Sequence, residues 1–226
     1  MIRNVLGSIV VALVLMEATA LAQQKAQWRD SFQPDKANLT SSGRSEYFVL
    51  EPGYRLRLGK GKNTLTVTVL DQTKVVDGVT TRIVEEREMD GEKLVEVSRN
   101  YFVIDKSNND VYYFGEDVDI YKNGKVTSHE GTWLSGQNGA RFGLLVPGKP
   151  RVGDKFYQEI APKVAMDRAE IMTLAEQVRT PAGTFENCLR TKETSGIEKG
   201  AEAKWYAPGV GLIKDADFVL VGIDKR

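Results

Sequence analysis

The sequence NTLTVTV, residues 63–69, decides the fold class. Its apolar side chains, Leu65, Val67 and Val69, alternate with threonines, and most positions are β-branched. Because successive side chains of a strand point to opposite faces, this pattern predicts a strand with one buried face and one exposed face.

Turn signals flank this strand on both sides along the chain. Asp77-Gly78, Asp90-Gly91 and Asn123-Gly124 are dipeptides that tolerate positive φ in tight hairpins, and residues 106–110 are typical of a further connection. The intervals leave strands of about ten residues, longer than the common five or six. We therefore predict an all-β domain with minor α content, a long-stranded antiparallel meander that forms a concave sheet, half-barrel or barrel.

The second half of the chain is less regular. Residues 131–162 are rich in glycine and proline, which indicates a long excursion that covers or recognises something, with strand character returning at residues 155–160. Residues 165–178 fit a helix or a strand, and the turn at residues 180–183 favours a strand. Closing strands are predicted at residues 184–191, 201–206 and 211–222.

The N-terminus is typical of a secretory signal peptide. Arg3 precedes an apolar run at residues 5–16, and small residues stand before a cleavage point after Ala22. The run is too short to span a bilayer, and no cysteine lies near the cleavage point for lipid attachment. We expect a periplasmic or secreted protein without a transmembrane segment in the mature chain.

The mature chain is expected to have two parts. Residues 23–44 have few apolar side chains, which predicts a flexible segment, although Trp28 and Phe32 are spaced to dock as a short helix. Residues 45–226 form the β-rich domain.

Composition excludes several classes of function. One His and one Cys exclude sites built from several imidazoles, zinc ribbons, iron–sulfur clusters and an internal disulfide. Lys and Arg total 31, as do Asp and Glu, and no long basic run is present, which argues against a nucleic-acid partner. Cys188 is expected to be a small buried side chain.

The spacing of one turn indicates a candidate calcium site. Asp105, Ser107, Asn109 and Glu116 stand at positions 1, 3, 5 and 12 of a calcium-loop pattern. Position 6, however, is Asp110 instead of glycine, and the flanks are strands. An Asx-rich hairpin turn is the favoured interpretation, and no other cofactor is predicted.

A second group combines two carboxylates and the histidine. A symmetric hairpin about residues 123–124 would place Asp117 opposite Glu130, with His129 beside them. This arrangement would suit acid–base chemistry or a divalent cation, whereas a solvated sheet edge is the simpler interpretation.

Aromatic residues add a possible binding surface, because strand aromatics can stack on sugars or line an apolar pocket, although they more often pack in the core. The candidate binding residues are Trp133, Tyr113, Glu116, Asp117, His129 and Glu130.

Four motifs carry a resemblance to known proteins. They are YFVLEPG at residues 47–53, YFGED at 113–117, PAGTFENC at 181–188 and WYAPGVGL at 205–212. Together they resemble a group of uncharacterised secreted bacterial proteins, some of them lipoproteins, that share a β-rich domain of unknown function. The resemblance implies a bacterial envelope location and assigns no site residues.

The leading functional hypothesis is a non-catalytic β-domain that binds a small apolar ligand or an envelope component. The alternatives are a hydrolase that uses Asp117, His129 and Glu130, and a structural protein of the envelope.

Overall fold

The structure, a computed structural model, describes residues 27–224, and the predicted signal peptide lies outside them. Within this range lie a short 3-10 helix, Lys36–Asn38, and eighteen strands. The strands are β1 (Leu39–Thr40), β2 (Arg44–Ser45), β3 (Phe48–Val49), β4 (Arg55–Lys60), β5 (Asn63–Val76), β6 (Val79–Asp90), β7 (Lys93–Asp105), β8 (Val111–Lys122), β9 (Lys125–Ser128), β10 (Trp133–Leu134), β11 (Arg141–Val146), β12 (Lys155–Tyr157), β13 (Glu159–Ile160), β14 (Asp167–Thr180), β15 (Gly183–Ser195), β16 (Glu202–Ala207), β17 (Gly211–Asp215) and β18 (Phe218–Asp224).

The main sheet is antiparallel and nearly closed into a barrel. Its strand order is β12-β14-β15-β16-β17-β18-β4-β5-β6-β7-β8-β11-β13. The two terminal strands, β12 and β13, are separated by Gln158 alone, whose backbone N–H donates to the Asp167 carbonyl at 2.8 Å. One short segment therefore pairs with β14 through its first half and with β11 through its second half, which joins the two edges. The predicted all-β meander is confirmed.

The alternation in β5 places its apolar residues inside. Leu65 and Val69 are buried, and Val67 packs against the same core. The predicted hairpins form where the sequence places them: Asp77 and Gly78 have φ of 50° and 72°, and Asn123 and Gly124 have φ of 54° and 73°. These are the conformations that Asp, Asn and Gly tolerate best.

The second half of the chain confirms some predictions and corrects others. Residues 165–178 fall largely in strand β14, as favoured, and Cys188 is buried. The predicted last strand at residues 211–222 is instead two strands, because Ala216 adopts a φ of 47° in a turn between β17 and β18. The excursion at residues 131–162 contains four short strands, β10 to β13, which form the closing edge of the sheet, and turns and loops connect them.

The described part of the predicted flexible segment is anchored to the barrel. The Arg29 backbone N–H donates to the Lys155 carbonyl, and the Arg29 carbonyl accepts from the Tyr157 N–H, both at 2.9 Å. Phe32 is buried against Tyr112, with ring centroids 6.0 Å apart. These residues are extended and not helical, because hydrogen bonds to β12 satisfy the backbone of Arg29.

The barrel has two distinct ends, set by the alternating strand directions. The mouth is the end with the turns at residues 61–62, 91–92 and 216–217, and the base is the end with the turns at 77–78, 106–110 and 208–210. The hairpin of β2 and β3 covers the base, where Phe48 packs edge-on against Phe102 with centroids 5.2 Å apart.

Candidate ligand-binding site

The interior of the barrel contains a small apolar chamber. It has a volume of about 80 Å³, and its lining includes Phe48, Val67, Val84, Phe102, Tyr206 and Leu212. These side chains come from β3, β5, β6, β7, β16 and β17, so that the closed sheet and the covering hairpin both contribute. A volume of this size exceeds that of one water and suits a short alkyl group.

Towards the mouth, the interior becomes acidic. A cavity of about 330 Å³ is lined by five glutamates and aspartates from β6, β7, β16 and β17, with Asp217 and Lys60 at its rim. The five are Glu86, Glu88, Glu96, Glu202 and Asp215. Glu86 and Asp215 line both this cavity and the apolar chamber, so that the two spaces adjoin.

Glu86 lies at the boundary between the chamber and the mouth. Burial raises the pKa of its carboxyl to about 7; Lys204 opposes this rise, whereas Asp215 and Glu96 add to it. A substantial fraction of Glu86 is therefore protonated at neutral pH.

Lys204 on β16 is the one cation among the residues that line the apolar chamber. Its Nζ lies 3.4 Å from Glu193 Oε2 and 3.6 Å from Asp215 Oδ2. The attraction of Glu193, followed by that of Asp215, raises the pKa of Lys204 well above its usual value against the opposing effect of burial. The side chains of Lys204, Glu193 and Asp215 are 29%, 12% and 20% exposed, so that the pairs are only partly shielded from solvent.

Three of the predicted site residues meet on the inner side of the closing edge. Tyr113 and Trp133 pack edge-on with ring centroids 5.2 Å apart, and Trp133 pairs with Glu116 across β10 and β8. Burial raises the pKa of Glu116 to about 7, although the Tyr113 hydroxyl and the Trp133 indole lower it. The indole nitrogen is buried and makes no hydrogen bond of ordinary geometry.

A glycine in the YFGED motif permits this arrangement. Gly115 has a φ of 142°, and a Cβ there would lie 2.5 Å from the Trp133 carbonyl oxygen. Only glycine allows β10 to approach β8 so closely.

Asp117, another predicted site residue, interacts with Lys74 and Tyr101 and not with this aromatic group. Lys74 Nζ donates to its Oδ2 at 2.7 Å, and the Tyr101 hydroxyl donates to the same oxygen. Burial would raise the pKa of Asp117, but these two hydrogen bonds, together with the positive charges of Lys74 and Arg99, outweigh burial and lower it.

The predicted pairing of Asp117 with Glu130 is wrong. A bulge shifts the register so that Ile120 pairs with Ser128, and β9 ends there. The side chain of His129 is 69% exposed, and its Nδ1 lies 2.9 Å from the Val118 carbonyl oxygen and 3.0 Å from Asp119 Oδ1. Glu130 is exposed. The structure does not assemble the residues of the hydrolase hypothesis.

The side chains of the candidate calcium ligands likewise do not converge on a common site. Asp105 Oδ1 accepts hydrogen bonds from the backbone N–H and hydroxyl of Ser107, and Asn109 adopts a φ of 64° in the turn. Glu116 lies away in β8 beside Trp133. Within residues 27–224, no group of three or more Asp, Glu, His or Cys side chains is placed to hold a metal ion. The turn is the Asx-rich hairpin that the sequence favoured.

Sequence reasoning missed Glu86, Glu193, Lys204 and Asp215, because charged residues usually face solvent. A signal was nevertheless present. Lys204 stands two positions from Tyr206, and Glu86 two positions from Val84; both neighbours are buried. Residues two apart on a strand share a face, so that these charged side chains point into the barrel.

The raised pKa values predict a pH-dependent stability. Glu86 and Glu116 each have a pKa of about 7 in the folded chain against an ordinary 4.5, so that their stabilising contribution is complete below pH 4.5 and is lost as the pH rises through 7. We expect Glu86→Gln or Glu116→Gln to raise the free energy of unfolding by about 2 kcal/mol at pH 8 and to leave it unchanged near pH 4.5, allowing for residual solvent contact. Urea titrations at both pH values measure this difference. Glu130→Gln, at an exposed position, is the matched control, and an equal response of all three variants would contradict the prediction.

Comparisons with known proteins find two similar solved structures and no matching family. No family model matches the chain, and no curated protein matches it. Two solved structures are similar. One is an exported protein of Bacteroides fragilis described as having a YmcC-like fold, with 17% identity, a TM-score of 0.41, and coverage of 80% of this chain and 100% of that one. The other is described as a lipoprotein of Parabacteroides distasonis, with 13% identity, a TM-score of 0.39, and coverage of 81% of this chain and 100% of that one. Identities this low establish no shared function.

Within residues 27–224, no helix has the length and apolar character needed to cross a bilayer.

Proposed function

We propose that the protein is a secreted or periplasmic binding domain whose barrel interior takes a small ligand with a short apolar part and a cationic group. The observation that carries this proposal is the apolar chamber of about 80 Å³ that adjoins the acidic mouth. Ligand sites are typically concave and largely apolar, with a few polar groups that fix orientation.

The apolar part of the ligand fits the chamber. Val67, Val84 and Phe102 line it from three neighbouring strands, and the β2–β3 hairpin covers it at the base. An alkyl group placed there loses its contact with water, which is favourable in proportion to the apolar area buried.

The cationic group fits the mouth. Six carboxyl groups line the mouth cavity, and the one cation among its lining residues, Lys60, pairs with one of them, Asp217, at 2.9 Å. Like charges held together raise one another's pKa, and an ammonium group near Glu86 would relieve this repulsion. The carboxylate of an anionic ligand, such as a fatty acid, would be repelled by these carboxyl groups.

The location rests on the sequence. The signal peptide pattern at residues 1–22 and the resemblance to secreted bacterial proteins support an envelope address. The envelope is also where an exported binding domain meets its ligand or partner.

Native mass spectrometry of the protein purified from the periplasm without detergent tests the proposal. We expect an additional mass that denaturation releases, and we expect the extracted molecule to carry an amine or another cationic group on an apolar chain. A retained fatty acid, or a bare-chain mass in every gentle preparation, would contradict the proposal.

A further inference from the structure

A second cavity lies outside the barrel at its base, on the side opposite the acidic mouth. It has a volume of about 410 Å³, and Arg29, Lys149, Arg151 and Lys155 lie along its wall. We call it the basic groove. Phe156, Leu144 and Pro147 form the apolar part of its lining.

The cations of the basic groove come from three separate parts of the chain. Arg29 belongs to the N-terminal segment, Lys149 and Arg151 to the loop after β11, and Lys155 to β12. Within residues 27–224, Arg29, Lys149 and Arg151 make no ion pair, whereas Lys155 Nζ lies 3.2 Å from Glu170 Oε1. Three of the four cations in the groove are thus without a carboxylate partner among the described residues.

The two carboxylates in the groove accept hydrogen bonds from neighbouring groups of the protein. Asp110 accepts hydrogen bonds from the Gly148 backbone N–H at 2.9 Å and from the Asn108 side chain at 3.0 Å. Asp154 accepts from the Arg151 backbone N–H at 2.8 Å. These contacts shape the loop. The lining itself has four cations and two carboxylates, a net charge of +2, and Glu170, which pairs with Lys155, reduces this balance to +1.

The wall of the groove is also held in place. A Cβ on Gly148 would lie 2.1 Å from the Asn108 carbonyl oxygen, so that the loop after β11 is packed directly on the turn after β7. The backbone of Arg29 is bound to β12 by two hydrogen bonds. Because the backbone that carries the donors is fixed before a ligand arrives, less conformational entropy is lost on binding.

We propose that the basic groove binds a phosphate group, either free or as the headgroup of a phosphorylated molecule. A phosphate ester carries a charge of about −1.5 to −2 near neutral pH, opposite in sign to the net charge of the groove. Guanidinium groups such as those of Arg29 and Arg151 suit phosphate oxygens, because their planar donors can pair with two oxygens at once. This site is separate from the interior chamber and does not depend on the function proposed for it.

Charge reversal at two exposed positions tests the proposal. The double variant Lys149→Glu/Arg151→Glu is compared with Lys122→Glu/Lys125→Glu, which makes the same charge change in the β8–β9 hairpin at the mouth. Calorimetry with inorganic phosphate measures the affinity, and cosedimentation with vesicles of phosphatidic acid or of phosphatidylcholine measures recognition of a lipid headgroup. Thermal unfolding confirms that both variants are folded.

We expect the groove variant to lose at least about tenfold in affinity for phosphate or for phosphatidic acid vesicles, because each charge-assisted hydrogen bond contributes at least as much free energy as a tenfold change in affinity. The hairpin variant should stay within about twofold of the unmodified protein. Binding to phosphatidic acid vesicles alone would identify a lipid headgroup as the source, and binding to inorganic phosphate would identify a soluble one. Equal losses in both variants, or no binding to either probe, would overturn the proposal.

Discussion

Gly143→Ala is expected to lower the free energy of unfolding by about 3 kcal/mol or more, because it forces apart the strands that close the barrel. A Cβ on Gly143 would lie 2.3 Å from the Gln158 carbonyl oxygen and 2.5 Å from that of Tyr157. Both contacts are with backbone atoms of the closing segment. That segment is held from its other side by the hydrogen bond from the Gln158 N–H to Asp167, so it cannot move away without losing its pairing with β14.

Urea denaturation followed by circular dichroism measures this effect. Gly59→Ala is the matched control: Gly59 also has an ordinary φ, and the nearest atom to its added Cβ is Val221 Cγ1 at 3.3 Å, on a half-exposed side chain that can rotate. We expect the control to change stability by less than about 1 kcal/mol. A Gly143→Ala variant as stable as the control would mean that the two edges of the sheet do not meet as described.

Lys204→Met is expected to cost about 2–3 kcal/mol of stability at pH 8. The substitution leaves Glu193 and Asp215 without the cation that lies within 4 Å of both. Breaking a fully buried ion pair costs about 3–5 kcal/mol, and the partial exposure of these side chains reduces the effect. Without Lys204 the pKa of Glu86 rises further, since the lysine opposes the effect of burial.

The loss should depend on pH in a definite direction. Glu86, which also interacts with Lys204, has a pKa raised to about 7 and is neutral at low pH, so that the penalty of Lys204→Met is expected to shrink as the pH falls from 8 to 5. Lys192→Met, at an exposed position on neighbouring β15, is the control and should show little change at either pH. A penalty of the same size at pH 5 and pH 8 would indicate lost packing instead of uncompensated charge.

The strands and hairpins were predictable from the sequence because their causes are local. The alternation in residues 63–69 defines the two faces of β5, and Asp77-Gly78 and Asn123-Gly124 adopt the positive φ that makes them turn residues. The fold class therefore follows from periodicity and turn chemistry alone.

The closure of the sheet into a barrel and the set of residues that line its interior were not predictable, because both depend on contacts between segments that are distant in sequence. Nothing local to residues 155–160 shows that one half pairs with β14 and the other half with β11. Likewise, a single-residue bulge in β9 was enough to separate Asp117 from Glu130. The sequence did place Tyr113, Glu116 and Trp133 in one candidate site. The acidic mouth, however, forms only when β6 and β7 come together with β16 and β17, which are distant in sequence.

Binding of n-hexylamine, compared with hexanoate, tests the central claim most directly. The two molecules share an alkyl chain of similar size and differ in charge, so that their comparison separates the apolar chamber from the acidic mouth. Calorimetry at pH 7.5 is expected to show binding of hexylamine and none of hexanoate, with about tenfold weaker binding of hexylamine to Glu86→Gln and no change for Glu130→Gln. Binding of hexanoate as tight as that of hexylamine, or binding of hexylamine that is indifferent to Glu86→Gln, would contradict a cation-selective ligand site inside the barrel.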